Sequence, residues 1–269
     1  MLRLSEEALE YYILQQKPFA AELWDHSLYI RISQYAPYIG TAIHHGHRFR
    51  PSLRPLCLLN EKERYYEEDP CTGHFITSLP IVLIGRDSRY AYDLNRAPKH
   101  CIYDLAWGKA VWHPKLPETE KQVSLEKHAR YYRILDTLLT TLHKNHPKIF
   151  LLDMHSYNYQ RQPHAPTFNL GTAYIHMHHF EPVISALEKA LGKITLAQEH
   201  ITVVRNQVFQ GKGYQAHFIQ EHHAPYTLNI PLELKKIYMD ENSGMLYPHI
   251  LKPLSQAMHA CLKQTLTVF

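Results

Sequence analysis

Four stretches of the chain end in side chains able to ligate a metal, move a proton or hold a carboxylate. The apolar run 38–43 leads into His44 and His47, and Ser88–Leu94 leads into Asn95 and Arg96. The continuous apolar run Ile149–Leu152 empties into Asp153 and His155, and Tyr226–Leu234 carries a single acid, Glu233. Two or three neutral imidazoles bind Zn²⁺ and leave a position for water, whose pKa the ion lowers towards neutrality. A carboxylate outside the ligand set can take that water's proton. An arginine can stabilise an oxyanion or grip a substrate carboxylate in a fork. Taken together, the set suggests a mononuclear metal hydrolase.

Each residue also has a plainer reading. His44 and His47 could be solvated loop histidines, and His155 a hydrogen-bonded core histidine. Asp153 could orient a neighbour rather than touch a metal. Glu233, inside an apolar run, needs a partner because an unpaired buried carboxylate is costly; Arg96 or Lys235 could supply it. Arg96 could equally pair with Asp93. The runs His176–His179 and His222-His223 read as solvated.

The elements that must position these residues follow from periodicity. Ser5, Glu6 and Glu7 before Leu9, Tyr12 and Ile13 predict an N-capped helix over 5–16. Ser27–Ser33 alternates apolar and polar residues at strand period, and Tyr38–Ile43 is a more apolar strand. Asn60–Asp69 predicts a helix closed by the loop Pro70–Gly73. Ile81–Ile84 and Ser88–Leu94 predict two strands around the turn Gly85-Arg86-Asp87. Residues 97–120 predict an irregular excursion. Leu125–Leu142 has helical spacing. Ile149–Leu152 reads as a strand buried on both faces. Phe180–Leu191 predicts a helix, Ile201–Val204 and Tyr226–Leu234 predict strands, and Tyr247–Leu266 predicts a closing helix. Buried strands alternating with helices predict an α/β fold, with a central, mixed but mostly parallel sheet flanked by helices. In such sheets ligands bind outside the carboxyl ends of the strands, where the four candidate groups are delivered. No repeat or linker divides the chain, so residues 1–269 read as one catalytic domain.

Composition narrows the function further. The chain has 269 residues, 45% of them hydrophobic and 20% charged, as in an ordinary globular protein. The 21 histidines nearly equal the 25 acidic residues, so abundance alone gives any one of them little weight. A net charge of +4 from scattered basic residues gives nucleic-acid binding no support. No apolar run approaches the roughly 20 residues of a membrane helix. The N-terminus lacks the apolar core of a secretory signal. Four widely spaced cysteines without a CxxC pair read as reduced thiols, so a cytoplasmic location is expected.

In order and spacing the motifs resemble the N-formylglutamate amidohydrolase family from about Thr41 to Gly244. The matching residues are His44-His45-Gly46-His47 with Arg50-Pro51, Asp69-Pro70 with Thr72-Gly73, and Asp93-Leu94-Asn95-Arg96. Beyond them come Asp153–Asn158, Asn169–Thr172, and Asn206 with Phe209 and Gly211. Leu232–Lys236 and Tyr238–Glu241 complete the set. The family is similar to the zinc carboxypeptidases and aspartoacylases. The resemblance implies a zinc site using His44 and His155. Those peptidases usually have Glu three residues after the first histidine, where this chain has His47; Glu68 or Asp69 could serve instead. It also implies that Asn95 and Arg96 contact the substrate and that Glu233 is the general base. Arg161 is a second candidate for carboxylate binding, and Gly171 and Thr172 are expected in a loop approaching the site.

The expectation is a zinc amidohydrolase cleaving a small, carboxylate-bearing N-acyl amino acid such as N-formylglutamate. Its metal ligands would be His44, His47 and His155. Two rivals stand beside it. One is a carboxypeptidase or amidase acting on a peptide or cell-wall fragment, with a wider pocket built from segments 97–113 and 157–179. The other is a non-catalytic metal- or ligand-binding relative. The acyl group, the amine and the oligomeric state are not legible in the sequence.

Overall fold

The computed structural model describes residues 1–162, 164–196 and 199–269. The chain opens with β1 (Leu2–Leu4) and α1 (Glu6–Leu14), whose start is capped by Ser5 Oγ accepting from Ala8 N at 3.2 Å. There follow β2 (Phe19–Leu23), β3 (Leu28–Ile32), β4 (Tyr38–Ala42), α2 (Glu61–Glu67) and β5 (Ile81–Gly85). Asn60 and Glu63 close a reciprocal capping box at the start of α2. A short hairpin, β6 (Leu105–Ala106) and β7 (Lys109–Ala110), precedes α3 (Glu118–His143). The second half comprises β8 (Ile149–Tyr157), β9 (Phe168–Leu170), α4 (Met177–Leu191), β10 (Val203–Arg205), α5 (Tyr214–His222), β11 (Thr227–Lys235) and α6 (Pro248–Leu266).

Nine strands form one sheet in the order β1-β2-β3-β5-β4-β8-β11-β9-β10. The central four, β5, β4, β8 and β11, run parallel to one another, so their carboxyl ends share one edge. Antiparallel pairs (β2 with β3, β3 with β5, β9 with β11) make the sheet mixed. The fold is the expected α/β arrangement, with helices on both sheet faces.

The alternation of β8 explains how the layers and the site coexist. Ile149 and Leu151 pack into the core that holds Leu9 and Ile13 of α1, Leu135 and Leu138 of α3, and Ile219 of α5. Phe150, Leu152 and Met154 pack into the opposite core with Leu187 of α4 and Met258 of α6. A period of two then puts Asp153 and His155 on the α1, α3 and α5 side. On β11, Leu228, Ile230, Leu232 and Leu234 all enter the α4 and α6 core, so Glu233 faces the same side as His155.

Two expectations are corrected. Ser88–Leu94 is not a strand. Both edges of β5 are already paired, with β3 and β4, so no position beside it is open. Local side-chain bonds hold the segment instead, with Tyr90 N donating to Ser88 Oγ at 3.3 Å and Asn95 N to Asp93 Oδ1 at 2.7 Å. The strand expected at 149–152 extends to Tyr157, so Asp153 and His155 lie within it rather than after it. The strands β1, β2 and β9 and the helix α5 carry no sequence signal strong enough to be foreseen.

Candidate active site

Three side chains meet at the carboxyl edge of the central strands. His44 follows β4, His155 stands near the end of β8, and Asp69 comes from the segment after α2, tied to the first by Asp69 N donating to the His44 carbonyl at 3.0 Å. One ligand atom from each lies within 4.8 Å of the others, and all three residues are buried. Asp69 Oδ2 is 3.4 Å from His44 Nδ1 and 3.2 Å from His155 Nδ1. The other nitrogen of each ring is taken by a carboxylate. His44 Nε2 is 2.7 Å from Asp93 Oδ1, and His155 Nε2 is 2.9 Å from Asp153 Oδ2.

These second carboxylates are themselves pinned. Asp93 accepts from Arg89 Nη2 at 2.8 Å, from the Tyr103 hydroxyl and from Asn95 N. Asp153 Oδ1 accepts from Thr41 Oγ1 at 2.8 Å, which accepts from Gln215 Nε2 at 2.8 Å. Tyr131 completes this buried chain by donating to Gln215 Oε1 at 2.6 Å.

The arrangement fits a metal ion. An imidazole that donates through Nε2 to a carboxylate presents a bare lone pair at Nδ1. Both Nδ1 atoms face one carboxylate oxygen, and among the described residues the buried His44 Nδ1 has no hydrogen-bond partner. Three acceptors directed at one point attract a cation. Two imidazole nitrogens and one carboxylate form a ligand set used by catalytic zinc, with a position left for water.

The titration of the cluster is set by carboxylates crowded around two buried imidazoles. Burial alone would raise the Asp69 carboxyl, but the adjoining His155 and His44 imidazoles hold it far below the usual carboxylate range. Burial would lower the His155 imidazole, yet Asp153 and Asp69 push it well above its usual value. Burial pushes the Glu233 carboxyl up to about 7, and Asp69 adds to the rise while His155 opposes it. Glu233 is half-buried and stands in register opposite His155 on the neighbouring strand.

All of these groups open on a cavity of about 570 Å³. Its wall includes Asn95, Arg96, Trp107, Arg161, Glu233 and Lys236. A second cavity of about 310 Å³ shares Glu67, Trp107 and Arg161 with the first.

Most of the sequence-derived residues meet here. His44, His155, Glu233, Asn95, Arg96 and Arg161 all line the larger cavity. Asn95 holds a buried carboxamide oxygen without a partner among the described residues, and Arg96 is exposed at the rim. Glu233 forms no ion pair with Arg96 or Lys235. Arg161 pairs with Glu67, Nη1 to Oε2 at 3.1 Å, and lies over the Tyr66 ring. Gly171 is one layer behind the wall, where its backbone crosses that of the cavity-lining Gly211 so closely that a Cβ would collide. Thr172 does not line the cavity; its backbone N donates to Asn206 Oδ1 at 2.9 Å.

His47 is the correction. It is exposed, with its ring against Tyr65 at 5.6 Å, outside the cluster. Gly46 turns the chain after His44, packed against the Arg86 backbone, and takes His47 away from the site. Asp69 stands in the cluster with His44 and His155, and its neighbour Glu68 is buried but outside it. Sequence reasoning overlooked Arg89 and Lys236 as parts of the site. Neither carries a periodic or spacing signal, since both come from irregular backbone just beyond a strand.

The parallel strand ends of this mixed α/β sheet gather imidazoles and carboxylates around one cavity, the place where such sheets bind ligands. Residues 36–239 match the family model of N-formylglutamate amidohydrolase, and the chain belongs to that family. It is a hydrolase acting on carbon–nitrogen bonds other than peptide bonds, which displaces the non-catalytic alternative. The crystal structure of N-formylglutamate amidohydrolase from Ralstonia eutropha JMP134 superposes with a TM-score of 0.71 at 15% identity, covering 90% of this chain and 98% of that one. A gene product of Agrobacterium tumefaciens superposes with a TM-score of 0.64 at 14% identity, covering 90% and 95%. At these identities the likeness is one of fold. Comparison with curated protein sequences gives no match.

Proposed function

We propose that the protein hydrolyses the acyl carbon–nitrogen bond of a small N-acyl amino acid, with N-formylglutamate the favoured substrate, using zinc held by His44, Asp69 and His155. The observation that carries this reading is the convergence of those three ligand atoms within 4.8 Å, beside Glu233, on one cavity. When bound, zinc supplies Lewis-acid polarisation of the acyl carbonyl and of the attacking water. Asp93 and Asp153 hold the two imidazoles in the tautomer that leaves Nδ1 free. Glu233 accepts a proton from the attacking water and delivers it to the leaving amine. A burial-raised carboxyl suits both halves of that task, being neither a very strong nor a very weak acid. Asn95 and Arg96, at the rim, bind the substrate carboxylate or the developing oxyanion.

The test is metal content and turnover. Purified protein should carry about one zinc per chain and release formate from N-formylglutamate. Glu233→Gln should keep the metal and lose about 10²- to 10⁴-fold in kcat. Absence of stoichiometric metal, or full activity in that variant, would overturn the reading. The adjoining 310 Å³ cavity favours a second reading, a larger acylated peptide or cell-wall fragment. Screening short N-acyl peptides against N-formyl amino acids separates the two.

A further inference from the structure

A cation without a matching anion sits in the wall of the catalytic cavity. Lys236 follows the last residue of β11, is 1% exposed and lines the cavity. Its Nζ donates to the Tyr66 carbonyl at 2.7 Å and to Asn158 Oδ1 at 2.8 Å. Both partners are neutral oxygens. An ammonium has three donors, so one N–H is left over. Among the described residues no carboxylate oxygen lies within 4.0 Å of Nζ. The acids that act on it from further away are committed elsewhere. Glu67 pairs with Arg161, and Asp69 serves the two imidazoles. Glu241 accepts from the backbone N of Tyr159 at 2.7 Å and of Gln160 at 3.1 Å.

A buried charge left unpaired is costly, and mutation of a purely structural lysine to an apolar residue would often be tolerated or favoured. Burial lowers the Lys236 ammonium to about 8, which still leaves it mostly charged at neutral pH. Its two partners fix the head group rather than neutralise it. Asn158 Nδ2 donates to the same Tyr66 carbonyl at 2.8 Å, so the last turn of α2 and the end of β8 clamp the lysine in place. Such a fixed, desolvated donor facing a cavity is suited to one kind of ligand group, an anion.

We propose that Lys236 is the counter-ion for a carboxylate of the substrate, and that Lys236 with Asn158 forms an anion subsite separate from the rim at Asn95 and Arg96. The proposal rests on the cavity being the substrate site of an amidohydrolase. With one cationic pole at each position, the cavity selects a substrate that carries two carboxylates over one that carries a single carboxylate.

Calorimetry on the zinc-loaded protein tests this with two probes, glutarate and its monoamide glutaramate. The wild type should bind glutarate at least about tenfold more tightly than glutaramate. Lys236→Met should bind the two equally. Lys236→Gln, which keeps N–H donors for the Tyr66 and Asn158 oxygens, guards against a folding defect and should lose the same preference. A wild type without preference, or either folded variant retaining it, overturns the subsite. Turnover of N-formylglutamate is measured alongside. A Lys236-dependent preference without turnover sinks the deformylase reading and leaves the subsite standing; turnover without preference does the reverse.

Discussion

Each imidazole of the cluster turns Nδ1 towards Asp69 and Nε2 towards a second buried carboxylate. Asp93 accepts from His44 on one side and from Arg89 and Tyr103 on the other, so it orients the His44 ring without touching the point the cluster shares. Asp93→Asn should leave the fold intact and weaken zinc binding by about 10- to 100-fold, measured by competition with a chelator. Lys236 provides a test of electrostatics at the same scale. Its ammonium is lowered by burial from 10.5 to about 8. Between those values the unfolded chain holds a proton that the native state has released, so stability conferred through this group rises with pH. Relative to Lys236→Met, the wild type should gain up to a few kcal/mol as the pH rises from about 8 to about 10.5, read by denaturant titration. A flat difference across that range would refute the burial argument.

At the scale of elements, β8 carries two functions on one alternation. Its first half buries Ile149 and Leu151 on one face and Phe150 and Leu152 on the other. Its second half keeps the same two faces but presents Asp153 and His155 where the helices no longer cover it. Leu151 is fully buried, so Leu151→Ala should cost about 2–5 kcal/mol in chemical denaturation. The site should survive at temperatures where the variant remains folded. The parallel register of β8 and β11 sets Glu233 opposite His155, and a slip by one residue would turn Glu233 into the α4 and α6 core. The apolar residues at 228, 230, 232 and 234 prevent that slip.

At the scale of the molecule, the site draws on segments from 44 to 236 and has no local existence in the unfolded chain. Metal binding to the native state alone is therefore linked to folding. Adding zinc to chelator-treated protein should raise its Tm, by the equivalent of about 4 kcal/mol at a thousandfold excess over Kd. Asp69→Ala should abolish that gain, and a wild type whose melting ignores zinc would contradict the assigned site. No helix among the described residues is long and apolar enough to cross a membrane.

The amino-acid sequence by itself determined the α/β class and named most of the residues that gather at the cavity. Apolar period and length marked β4, β5, β8, β11 and the longer helices, because burial on one or two faces leaves a local pattern. It also marked His44, His155 and Glu233, since polar residues at the ends of apolar strands have few reasons to be there. Only the tertiary structure separates His47, at the surface, from Asp69, which it places beside His44 and His155. Spacing along the chain favoured His47, but the tight turn at Gly46 sends it to solvent, while a backbone hydrogen bond brings Asp69 beside His44. It decided equally that Asp93 holds the His44 ring and that Lys236 lines the cavity. Those roles depend on contacts between residues far apart in the chain, and no periodicity records such contacts.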